Sequence, residues 1–112
     1  MKEKLQTLAN LASEKNAEQI VIIDVTGLCS FTDYIMICHG RSDRQVQSIA
    51  EHIQESMKHL GDKAFGVEGV SQGHWALLDF GDVVVHVFFE PVRSFYDIEG
   101  LWPDAKRLDL AS

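Results

Sequence analysis

Residues 73–89, GHWALLDFGDVVVHVFF, decide the fold. They read as a β-hairpin: one strand over His74–Asp79, a turn at Phe80-Gly81-Asp82 and a return strand over Val83–Phe89. Trp, Leu, Val and Phe fill both arms, and such side chains suit a pleated, packed surface. Gly81 supplies the positive φ that a tight turn needs. Alternation puts Trp75, Leu77 and Asp79 on one face of the first arm and His74, Ala76 and Leu78 on the other. The return strand is apolar at nearly every position, as in a strand covered on both faces, so it belongs inside the sheet. Trp75 then lies on a strand nearer the edge, where a large aromatic on an outer face is a candidate partner surface.

Upstream of the hairpin, residues 2–15 carry Leu5, Leu8, Ala9, Leu11 and Ala12 on one stripe, the spacing of an amphipathic helix that Asn16 can end in a left-handed conformation. Ile20–Val25 and Asp33–Cys38 read as strands joined by the loop Thr26–Thr32. Ser42 is a natural N-cap with Gln45 three places on, and Val46, Ile49, Ala50, Ile53, Met57 and Leu60 give the helix Asp43–Leu60 its buried face before Gly61 closes it. Ala64–Val67 predicts a short strand and Glu68–Gly73 a loop into the hairpin. Downstream, Glu90-Pro91 opens a short helical stretch carrying Arg93, Phe95, Tyr96, Ile98, Leu101 and Trp102, and the polar tail from Asp104 is expected to fray. This order predicts one α/β domain over residues 1–112, with a mixed sheet of about five strands and flanking helices in two or three layers.

With 46% hydrophobic residues the chain can bury a core without metals or disulfides. The net charge of −7 is uneven: residues 62–112 hold 4 basic and 9 acidic residues (−5), residues 1–61 hold 6 and 8 (−2). An acidic surface is repelled by phosphate, which argues against direct nucleic-acid binding and suits a basic protein partner. Cys29 and Cys38 form no metal or redox motif and read as small apolar residues. No apolar run reaches membrane-spanning length, and the amphipathic start carries Glu3 and Glu14, unlike a secretory or transit segment; a reducing cytoplasm is expected.

The motifs with chemical associations do not assemble into catalysis. Asp79-Phe80-Gly81 spells a kinase metal motif, but the glycine-rich loop, strand lysine and catalytic loop that kinases need are missing, and turn chemistry explains the residues. Gly40-Arg41-Ser42 ahead of a helix can cradle an anion, which keeps a nucleotidyltransferase or nucleotide-binding relic as a rival reading. No Asp-x-Asp or Asp-x-Glu pair lies on the strands that follow to hold magnesium, so capping is favoured there. The five histidines form no tight ligand motif, and His86, inside the apolar strand, reads as a hydrogen-bonded core histidine. No cofactor is expected. What stands out is Trp75, Tyr96 and Trp102 in or beside the acidic half, since aromatics ringed by polar groups are typical interface anchors.

Several long stretches carry a resemblance: Asp24-Val25 with Gly27-Leu28, TDYIMICHGRSDRQVQSIA (32–50), Glu68-Gly69 with Gly73-His74-Trp75, LLDFGDVVVHVF (77–88) and RSFYDIEGLWPDA (93–105). In this order and spacing they resemble the ribosomal silencing factor family, also called Iojap or RsfS. The resemblance implies a nucleotidyltransferase-like fold without catalytic carboxylates, and a non-enzymatic translational repressor. It implies binding to the large ribosomal subunit through ribosomal protein L fourteen, a block on joining of the small subunit, and homodimers when free. Assembly of the ribosome, without repression, needs the same surface. Carried over residue by residue, the contact surface is Trp75 as anchor with Leu77 and Asp79 beside it, then Tyr96, Leu101 and Trp102, with Asp97 and Glu99 as acids at the rim.

Overall fold

The hairpin forms as its residues dictate and sits within one six-stranded sheet. In the computed structural model, which describes residues 1–108, the elements run α1 (Lys2–Glu14), β1 (Glu18–Asp24), β2 (Tyr34–Gly40), α2 (Asp43–His59), β3 (Gly66–Glu68), β4 (Trp75–Asp79), β5 (Val83–Phe89), α3 (Glu90–Tyr96), a 3₁₀ helix (Ile98–Leu101) and β6 (Lys106–Leu108). The sheet order is β3-β4-β5-β2-β1-β6. Only β2 and β5 are parallel; the β4–β5 hairpin pairs Trp75 with Phe88 and Asp79 with Val84. β5 is buried over Val83–Phe88, as a central strand with cover on both faces must be. Gly81 turns the hairpin at φ +87, and the Asp79 carboxylate accepts its N–H at 2.8 Å.

Each face of the sheet has its own core. On one, α1 contributes Leu5, Leu8 and Ala12 and α2 contributes Val46, Ile49, Ala50, Ile53 and Met57 against Met36, Cys38, Ala76, Leu78, Val85 and Val87. Full burial of each large side chain here contributes about 1.5–3 kcal/mol. Ser42 caps α2 by accepting the Gln45 N–H at 3.1 Å. The Gln45 amide then works in both directions: its oxygen accepts the Arg41 N–H, and its nitrogen donates to the carbonyls of Lys15 and Asn16, pinning α2 to the end of α1. On the other face a smaller core of Ile23, Val25, Ile35, Ile37 and Phe88 is covered by α3 and by Ile98 of the 3₁₀ helix. The layers are therefore helix, sheet, helix.

Two expectations are corrected. The sheet has six strands, because residues 106–108 do not fray but pair antiparallel with β1, Leu108 opposite Ile22 and Lys106 opposite Asp24. A three-residue edge strand with two cations carries no alternation to read, and its charges suit an exposed edge. β1 also begins at Glu18, two residues before its apolar run, through a register irregularity between Glu18 and Val21 at which Gln19 takes φ +47. The part of the expected tail at 109–112 lies outside the described residues. Among the described residues, no helix is long and apolar enough to cross a membrane.

The loop ahead of Trp75 depends on a backbone approach. Gly69 has φ +76, and a Cβ there would lie 2.0 Å from the Trp75 carbonyl oxygen. Gly61, at φ +87, has open space around it. Gly69→Ala is expected to cost more than 2 kcal/mol, combining roughly 1–2 kcal/mol for the left-handed backbone with a steric clash, and Gly61→Ala about 1 kcal/mol. Urea midpoints of the two variants check the ranking.

Candidate functional site

Trp75 stands at the border between covered and uncovered sheet. Its ring packs on Phe88 (centroids 4.9 Å apart) and against Tyr96 of α3 (4.7 Å), and its indole N–H donates to His86 Nδ1 at 3.0 Å. Phe95 meets Tyr96 edge-on at 5.1 Å. Phe95 is 81% exposed and Tyr96 51% exposed, while Trp75 is half-buried, so one side of the cluster is core and the other is surface. Leu77 and Asp79 share the face of Trp75, as the alternation predicts, and both are half-buried. Asp79 spends one carboxylate oxygen on the turn.

The remaining expected contact residues divide. Leu101 is 66% exposed and Asp97 is exposed at a left-handed φ of 43, both open to a partner. Trp102 is half-buried over the second core and makes no ring contact with the Trp75 cluster. Glu99, expected at the rim, is drawn inward: Arg93 donates to it at 2.8 and 2.7 Å, and Arg107 lies 3.5 Å away. An interior guanidinium requires a carboxylate, and that requirement overrides a rim position. Two surface residues were not among the expected contacts. Glu68 pairs opposite Leu77 on the same face and adds an exposed acid, and Phe95 adds the most exposed ring of the cluster. Glu68 becomes legible once β3 is paired with β4; Phe95 has no signal beyond its place beside Tyr96.

Arg93 is the buried hub behind this surface. Besides Glu99, its NH1 donates to the Gln19 carbonyl at 2.8 Å and to His39 Nδ1 at 2.9 Å. Because arginine carries only donors, His39 Nδ1 must be unprotonated and its proton sits on Nε2. That N–H points to Glu18 at 3.3 Å, with Glu90 at 3.6 Å. Glu18, His39 and Glu90 bring three ligand atoms within 4.8 Å of one another, a spacing a metal site would share. A protonated Nε2 has no lone pair for a metal, however, so the grouping is a hydrogen-bonded charge cluster. The hydrogen bond from Arg41 holds the Glu18 carboxyl below its usual range, and Arg41 is itself committed there at 2.8 Å. The Gly40–Ser42 helix start is thus internally satisfied through Gln45, Ser42 and Arg41.

Burial in the sheet keeps Cys38 and His86 neutral. Burial pushes the Cys38 thiol up to about 12, as suits an apolar filler, and Cys29 is half-buried and free. Burial pushes His86 down to about 4, which keeps Nδ1 free to accept the Trp75 N–H.

The fold and site define a small α/β domain with a mixed sheet, a helical layer on each face and an aromatic, acidic surface at the open end of one face. A family model described as "Ribosomal silencing factor during starvation" matches residues 1–112, and the chain belongs to that family. It is 43% identical over 109 residues to the "Ribosomal silencing factor RsfS" of Bacillus subtilis, covering 97% of this chain and 92% of that one. It is 31% identical over 101 residues to the mouse "Mitochondrial assembly of ribosomal large subunit protein 1", covering 88% of this chain and 44% of the mouse protein. A crystal structure of a Bacillus halodurans protein superposes with a TM-score of 0.87 at 39% identity, over 98% of this chain and 100% of that one.

Two outcomes test the site's construction. Arg93→Met leaves Glu99 and the Gln19 carbonyl without their donor and is expected to destabilise the fold by about 3–5 kcal/mol, read from the urea midpoint. For His86, the unfolded chain binds a proton below about pH 6.5 that the folded chain refuses until about pH 4. Stability is therefore lost as pH falls through that window, by on the order of 3 kcal/mol. His86→Asn should remove that part of the acid slope, measured as the difference between parent and variant urea curves at pH 7 and pH 4.

Proposed function

We propose that this chain is a non-catalytic, ribosome-associated factor of the cytoplasm that docks on the large subunit and represses translation by excluding the small subunit. The observation that carries the reading is the family match along residues 1–112, joined by a relative of nearly equal length named a ribosomal silencing factor. The resemblance implies ribosomal protein L fourteen as the docking point, and the physics agrees. Ribosomal proteins are basic because they sit on RNA, and a chain of charge −7 is drawn to such a protein while neighbouring phosphates repel it. Steric exclusion needs only affinity and bulk, and an interface of roughly 800 Å² per partner suffices.

The proposed contact surface is centred on Trp75, Tyr96 and Phe95, with Leu77 and Leu101 as apolar flanks. Glu68, Asp79 and Asp97 supply the acids facing a basic partner. Trp102 supports the 3₁₀ segment from behind, and Glu99 serves the surface indirectly by holding Arg93. In the free chain a second copy can cover the same aromatics, which is how a homodimer would form. A second reading, a role in assembling the large subunit, is favoured by the name of the mouse relative and would use the same face.

Co-sedimentation with isolated large subunits, small subunits and joined ribosomes tests the proposal. Binding to large subunits alone, weakened at least on the order of a hundredfold by Trp75→Ala in a variant that remains folded, is the expected result. Binding to none of the particles would overturn it. Retention by precursor particles but not by mature large subunits would favour assembly.

A further inference from the structure

We infer that His86 is a positioning residue for docking: it fixes the Trp75 ring in the orientation a partner reads. The inference rests on the docking reading above and goes beyond it by assigning a role to a residue no partner can reach. His86 lies on β5, directly opposite Leu77 of β4, and is buried to within 8% of full cover. Its Nδ1 receives the indole N–H of Trp75 at 3.0 Å, and its ring stacks parallel to Phe88, with centroids 6.1 Å apart and an interplanar angle of 11°. Trp75 is held at three points: this hydrogen bond, the Phe88 ring beneath it and the Tyr96 ring beside it.

The two aromatic contacts do not fix the indole alone, because tilted ring packing tolerates rotation about the side-chain torsions. The hydrogen bond supplies the missing constraint. Without its acceptor, the indole N–H would lose its partner in a half-buried setting, and the ring would turn to seek water at the docking surface. A second consequence follows. Since the only donor of the indole points inward, a partner meets Trp75 through its ring surface, so apolar or cationic groups recognise it and hydrogen-bond acceptors do not.

The test compares His86→Leu, which fills the space without an acceptor, with His86→Asn, whose side-chain oxygen reaches the place of Nδ1. Large-subunit affinity is measured by sedimentation. The Trp75 indole signal is followed in ¹H–¹⁵N spectra of the free protein, assigned by its persistence in Trp102→Phe. His86→Leu is expected to weaken binding on the order of tenfold and to shift the Trp75 indole signal and speed its exchange. His86→Asn should bind within about threefold of the parent and keep the signal in place. Equal loss in both variants would make His86 merely structural, and parent-like binding by His86→Leu would show that the ring needs no fixing; either overturns the inference. Failure of the parent chain to bind large subunits would overturn the docking reading itself, and this inference with it.

Discussion

The Arg93 guanidinium holds the second helical layer on the sheet. α3 has seven residues and the 3₁₀ helix four, and neither is long enough to persist by its own hydrogen bonds. The apolar cover they bring is small, chiefly Ile98 with Val92 and Trp102 over Ile23, Ile37 and Phe88. Arg93 compensates by joining four parts of the chain: its own helix, the β1 irregularity through the Gln19 carbonyl, β2 through His39, and the 3₁₀ helix through Glu99. A buried charge of this kind adds little net stability against an apolar alternative, yet it is intolerant of losing a partner. Its hydrogen bonds tie α3 to β1, β2 and the 3₁₀ helix, and α3 carries Phe95 and Tyr96 to the edge of Trp75.

The two faces of the sheet accordingly do different work. The α1–α2 face is a conventional apolar core, continuous along both helices and closed off by the Gln45 bridge. The α3 face is covered only in part. Its cover ends at Trp75, and beyond lie Leu77, Asp79 and Glu68 on the two outer strands β4 and β3. This half-covered sheet face is bordered by the exposed rings of Phe95 and Tyr96 and by carboxylates. It also lies on the stretch that carries the net negative charge of the second half of the chain.

Much of this was legible in the residues. The hairpin, the alternation that sends Ala76 and Leu78 inward, the capped helix α2 and the core role of His86 all follow from local rules, because in each case the signal and the structure lie within a few residues. Three features were not legible. β6 is too short and too charged to show a period, and it exists because β1 offers a free edge. Arg93 and His39 are 54 positions apart, and nothing local tells a buried arginine from an exposed one until β2 and α3 are brought together. Glu99 was expected at the rim with Asp97 because the two look alike in sequence; the hub takes one and leaves the other. The division of the aromatics was read only in part, since Trp75 is both core and surface.

The proposed docking surface lies on the α3 face, while the α1–α2 face carries the larger core. Hydrogen–deuterium exchange of the protein, free and bound to isolated large subunits, tests that division most directly. Added protection is expected over β4 and over the segment from Phe95 to Leu101, with α1 and α2 unchanged. Protection confined to α1 and α2, with β4 and α3 exchanging as in the free chain, would contradict it.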